Sequence, residues 1–98
     1  MKTYSVRLTP EAEADLFDIY LYIRDASGSA VLAANYLSRL RRFLSALEIA
    51  PERGTIRTDV REGLRIIGFE RAASIAFVVE NENVVILRIA YRGKLLGL

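Results

Sequence analysis

Arg88, Tyr91, Arg92 and Lys94 crowd the end of the chain, with no acidic residue among or after them. Cations beside a phenol could hold a phosphate and move a proton, or could anchor a protein contact, since arginine and tyrosine serve both purposes. Arg65 joins them from upstream if the strand register allows. Other candidates are weaker. Asp15 and Asp18 lie three apart beside Tyr22 on a helical stretch. Two carboxylates could begin a metal or acid–base site, but no third ligand is in view, so a solvated helix face is favoured. Arg39 and Arg42, also three apart, read the same way against a nucleic-acid role. Histidine and cysteine are both absent. That removes Ser-His-Asp and Cys-His catalysis and the usual zinc sites. No Gly-rich phosphate loop and no metal-spaced cluster occurs, so no cofactor and no metal are expected.

The cluster occupies the end and the exit of the run Val84–Tyr91, whose aliphatic and β-branched residues, interrupted by Arg88, read as the last strand of a sheet. Alternation places Val85, Leu87, Ile89 and Tyr91 on one face, and Val84, Ile86, Arg88 and Ala90 on the other. Upstream, Tyr4–Leu8 alternates as a half-buried strand. Thr9, Pro10 and Glu11 have the chemistry of a helix start. The first helix is expected from Pro10 to about Asp25. One apolar stripe on it is Ala12, Leu16, Ile19, Tyr20 and Ile23, and a second is Ala14, Phe17 and Leu21. Two stripes imply two apolar neighbours, a sheet and another helix. Gly28 between two serines breaks the helix, and the short break implies an antiparallel helical hairpin. The second helix is expected from Ala30 to Ile49 on the spacing of Ala33, Leu37, Leu40, Leu44 and Leu47. Residues 51–63 read as a polar loop. Leu64–Phe69, Ser74–Val79 and the last run then form a three-stranded antiparallel meander, with Glu80–Asn83 as its second turn.

The fold class is therefore α+β: an N-terminal strand, then an antiparallel helical hairpin packed on a sheet that the meander completes. The 98 residues are expected to make one domain, 1–98. A hydrophobic share of 52% is slightly high, which suggests apolar surface reserved for a partner. The sheet face carrying Arg88 has no helix left to cover it. It is expected to be an open docking surface, unless the tail Leu95–Leu98 folds back over it. Net charge is only +2, modest for an RNA or ribosome partner. No run is long enough to span a membrane, and the absence of cysteine suits the cytoplasm.

The order of elements, with Leu8-Thr9-Pro10-Glu11-Ala12, Asp15-Leu16, Ile19, Tyr22-Ile23, Leu44, Leu47, Pro51, Gly54, Gly63-Leu64-Arg65 and the run from Val84 into Tyr91-Arg92-Gly93-Lys94, resembles the RelE/ParE superfamily of type II toxins. The likeness covers nearly the whole chain. The opening of the first helix and the exit are more similar to the ParE branch. The sequence departs from the pattern at Phe77, Arg92 and Leu95. The resemblance implies a non-enzymatic toxin that contacts DNA gyrase through Arg88, Tyr91, Arg92 and Lys94 and so stops replication and growth. It also implies a ParD-like antitoxin that binds along Phe17, Leu21, Arg65, Ile86 and Arg88, with DNA touched only through that complex. The alternative it implies is a RelE-like ribosome-dependent endoribonuclease using Arg65, Arg88, Tyr91 and Lys94. A further alternative is a non-toxic antitoxin-binding relative.

Overall fold

The computed structural model describes residues 2–93. The chain runs β1 (Ser5–Leu8), α1 (Pro10–Ser27), α2 (Ala30–Ser45), a 3-10 turn (Ala46–Glu48), β2 (Thr55–Ile56), β3 (Arg65–Phe69), β4 (Ala73–Glu80) and β5 (Asn83–Tyr91). The helix boundaries follow from their caps. Thr9 accepts the Ala12 N–H at 3.1 Å, Pro10 opens the first turn, and Glu11 and Glu13 sit at the positive end of the helix dipole. Gly28 stops α1 in the left-handed region at φ 72°, and its N–H bonds to the Arg24 carbonyl at 2.8 Å. Ser29 then caps α2 by accepting from the Leu32 N–H at 3.1 Å. The second helix ends earlier than its apolar spacing predicts, because its last turn tightens into the 3-10 form at Ala46.

The five strands form one sheet in the order β1-β5-β4-β3-β2. The meander β3-β4-β5 is antiparallel, and β1 lies parallel to β5. The short strand β2 falls within the stretch expected to be loop, and pairs with β3 at Thr55–Ile66 and Ile56–Arg65. Both helices lie on one side of the sheet. Ala12, Leu16 and Ile19 of α1 and Tyr36, Leu40 and Leu44 of α2 share a core with Ile75, Phe77, Val84, Ile86 and Ile89. Leu16, Leu40, Phe77 and Ile86 are fully buried there, each contributing about 1.5–3 kcal/mol of hydrophobic stabilisation.

Two expectations fail for identifiable reasons. Strict alternation along β5 is broken by a bulge: Ala76 faces Arg88 while Phe77 faces Ile86, which leaves Leu87 as the extra residue. Val84 and Ile86 therefore point to the helices together with Ile89, which the unbroken alternation put on the opposite face. The second face carries Leu64, Ala76, Val78 and Val85, and these are at most 5% exposed. It is a second small apolar cluster rather than the open surface expected. The alternative cover, the tail Leu95–Leu98, lies outside the described residues. The second stripe of α1 also differs from expectation. Ala14 is exposed and Phe17 is 60% exposed, so α2 does not bury that stripe.

Candidate functional site

β1 stops alongside Ile86, so among the described residues β5 from Arg88 onward has no strand on that side. The helix cap sits at this corner. The Thr9 N–H donates to the Ile86 carbonyl at 3.0 Å, and its hydroxyl donates to the Leu87 carbonyl at 2.8 Å. One and a half turns later, Asp15 projects to the strand edge that β1 leaves open. Its Oδ2 accepts the Ile89 N–H at 2.8 Å and Arg88 Nε at 2.9 Å, and its Oδ1 accepts Arg88 Nη2 at 3.1 Å. A helix carboxylate thus replaces the missing strand. The hydrogen bond from Arg88 to this carboxylate, then the carboxylate's charge, raise the guanidinium above its already high pKa.

Beyond the pair lies a small cleft of about 100 Å³ lined by Asp15, Asp18, Ile19, Tyr22, Ile89, Tyr91 and Arg92. Aromatic rings close its deep side. Tyr91 meets Tyr22 edge-on at 5.6 Å and Tyr36 at 5.5 Å, and Tyr36 meets Phe69 at 5.7 Å. The Arg92 guanidinium lies 6.0 Å from the Tyr91 ring centre. The Tyr36 hydroxyl is buried without a hydrogen-bond partner among the described residues. Its pKa is pushed up to about 12, chiefly by burial, with Tyr91 and Glu70 adding to the rise and Arg39 opposing it.

The expected site residues are only partly brought together. Tyr91 and Arg92 line the cleft, whereas Arg88 does not line it and is committed to Asp15 instead of lying free. Lys94 falls outside the described residues. Arg65 does not join them. It faces Phe77 across β3–β4, on the helix-bearing side, and donates weakly to the Arg53 carbonyl at 3.4 Å. β4 separates it from β5. Ile86 is fully buried beneath the helices because of the bulge, so it is not a surface contact. Phe17 is exposed and Leu21 half-buried. Phe17 borders an open groove between the helices with Glu13, Tyr20, Leu37 and Arg41. Asp15, read as solvated, is the residue that matters most here. Its partners lie far along the chain, and nothing in the local spacing marks them. Among the described residues no group of three His, Cys, Asp or Glu could hold a metal, and no helix is long and apolar enough to cross a membrane.

The model of the family described as "ParE toxin of type II toxin-antitoxin system, parDE" matches residues 6–96. The chain belongs to the ParE toxin family. Among solved structures, a chain of the chromosomal ParDE toxin–antitoxin system from P. aeruginosa is 27% identical, with a TM-score of 0.78 over 91% of this chain and 96% of that one. A chain of the RelBE2 toxin–antitoxin complex from Mycobacterium tuberculosis shares the fold at 20% identity, with a TM-score of 0.65 over 92% of this chain and 99% of that one. A comparison with curated proteins found no match. The α+β expectation holds, with the sheet now known to be mixed and five-stranded. The ParE fold here sets its aromatic cleft where β5 outruns β1.

Proposed function

We propose that this ParE-family chain acts without catalysis, by protein contact with DNA gyrase, and that a ParD-like antitoxin neutralises it in the cytoplasm. Blocking gyrase would halt replication and growth, the behaviour of a plasmid-stabilising toxin. The likeness to a ParDE chain across 91% of the sequence supports the pairing with an antitoxin. The observation that carries the contact reading is the Asp15–Arg88 lock. An arginine whose Nε and Nη2 are both held by a carboxylate is poorly placed to clamp a scissile phosphate. Arg65 is a strand away, and the chain has no histidine to act as a base. Tyr91 and Arg92, set over an aromatic base, suit an interface anchor. The antitoxin is read as an amphipathic helix lying in the groove beside Phe17 and Leu21, which folds as it binds. DNA would be met only through that complex.

The test uses purified protein in a gyrase supercoiling assay and in a translation extract monitored for mRNA cleavage. Inhibited supercoiling with intact mRNA is expected. Cleaved mRNA would move the chain to the endoribonuclease reading. Silence in both assays would leave a binding module without toxicity.

A further inference from the structure

Two backbone segments meet at the tip of the aromatic cleft, and each holds an arginine in the left-handed region. The turn between β3 and β4 is closed by the Ala72 N–H on the Phe69 carbonyl at 3.1 Å, with Glu70 at φ 49° and Arg71 at φ 59°. A β-turn with positive φ at both central residues ordinarily takes Asn or Gly there, because positive φ is costly for residues with longer side chains. The second segment is the exit from β5, where Arg92 has φ 52° and Gly93 follows at φ 84°. The Arg92 N–H donates to the Ala72 carbonyl at 2.8 Å and ties the two segments together.

One turn of α2 supports both. The Tyr36 ring packs on Phe69 and on Tyr91. Arg39 lies over that ring at 5.4 Å and grips Glu70 with Nε at 2.8 Å and Nη2 at 3.0 Å. Glu70 is therefore neutralised by Arg39, while Arg71 and Arg92 have no ion-pair partner among the described residues. Strain of this kind persists where the surroundings over-determine it, and it concentrates at functional surfaces.

We infer that the Phe69–Ala72 turn and the Tyr91–Gly93 exit form one contact surface, on which Arg71 and Arg92 receive an acidic segment of the protein this toxin acts on. The inference deepens the protein-contact reading above and rests on it. Carboxylates fit because arginine binds them through two parallel hydrogen bonds. A nucleic acid fits less well. Two arginines do not make a phosphate track. Arg71 then sets partner specificity, and Arg39 and Tyr36 act as positioning residues.

The experiment compares wild type with Arg71→Gly, Arg71→Glu and Arg92→Glu, with Arg7→Glu on β1 as a charge control. Supercoiling inhibition, growth arrest on induced expression and thermal midpoint are measured. Arg71→Gly relieves the positive φ, so its midpoint is expected to rise while its potency falls about tenfold. The two charge reversals are expected to lose tenfold or more, and Arg7→Glu to change little. Equal potency of all the arginine variants would overturn the inference, and so would an equal loss in Arg7→Glu. If wild type arrests growth but spares gyrase, the choice of target fails. The surface then stands if the variants lose growth arrest, and falls if they keep it. A wild type inert in both assays overturns it. Tight binding of a DNA or RNA oligonucleotide that depends on Arg71 and Arg92 would replace the acidic protein segment with a nucleic acid.

Discussion

Removing the Asp15 carboxylate tests whether a helix side chain substitutes for a strand. In Asp15→Ala the Ile89 N–H loses the carboxylate acceptor it has at an edge that β1 does not reach. Ile89 itself is 4% exposed, so water reaches that amide poorly. Leaving a buried donor unpaired costs about 1–3 kcal/mol. For a chain of this length each kcal/mol moves the melting midpoint by roughly 5 °C. Asp15→Ala is therefore expected to melt about 5–15 °C below wild type. Arg88→Met removes the other half of the ion pair but leaves Asp15 bonded to Ile89, and its alkyl chain still covers the strand. Its loss should be clearly smaller. Asp15→Asn keeps an oxygen for the amide and should fall between the two. Calorimetry gives the midpoints, and hydrogen exchange at the Ile89 amide gives the local effect, which should accelerate in Asp15→Ala alone. Equal losses in Asp15→Ala and Arg88→Met, or an unchanged Ile89 amide in the former, would refute the strand-edge argument.

Three further outcomes are expected. The Tyr36 hydroxyl ionises near its ordinary value in the unfolded chain but only at about 12 in the fold. The unfolded state therefore gains from ionisation first, and stability should be full below about pH 10 and fall as pH rises from there through 12. Tyr36→Phe should remove that alkaline loss in urea melts taken across the range. At Gly54, with φ +80°, an added Cβ would meet the Ile66 carbonyl oxygen at 2.4 Å, whereas at Gly28 it would meet nothing. Gly28→Ala should cost about 1–2 kcal/mol from φ alone, and Gly54→Ala distinctly more, read as the difference in denaturation midpoints. Thr9→Ala loses both the Ala12 cap and the bond to Leu87 and should cost about 1–2 kcal/mol, whereas Thr9→Ser should stay near wild type in the same melts.

Elements whose causes are local could be read from the sequence. Thr9-Pro10 and Gly28 mark the ends of α1 because caps and left-handed stops act within a turn. The leucine spacing of α2 marks its buried face, and the meander follows from short links between apolar runs. Long-range features were hidden. The bulge at Leu87 is a property of the β4–β5 pairing, and no residue type announces it. It set Ile86, opposite Phe77, and Arg88, opposite Ala76, on different faces of the sheet. Asp15 looked like half of a solvated pair, since its partners follow 73 and 74 residues later. The turn at Glu70-Arg71 lacks the glycine or asparagine by which such turns are recognised. The same absence that concealed it gives the turn its interest.

The side-by-side pairing of β1 with β5 joins strands far apart along the chain, with Ser5 beside Asn83 and Leu8 beside Ile86. During synthesis α1 and α2 emerge with their apolar faces bare, and β5, which completes their core, is made after both helices and after β1 to β4. A chain interrupted before Asn83 has no β5, no partner for β1 and no place for Asp15 to dock. Such a product also lacks the Ile89, Tyr91 and Arg92 wall of the cleft. The parallel pairing with β1 and the aromatic cleft therefore form together, once β5 has been made.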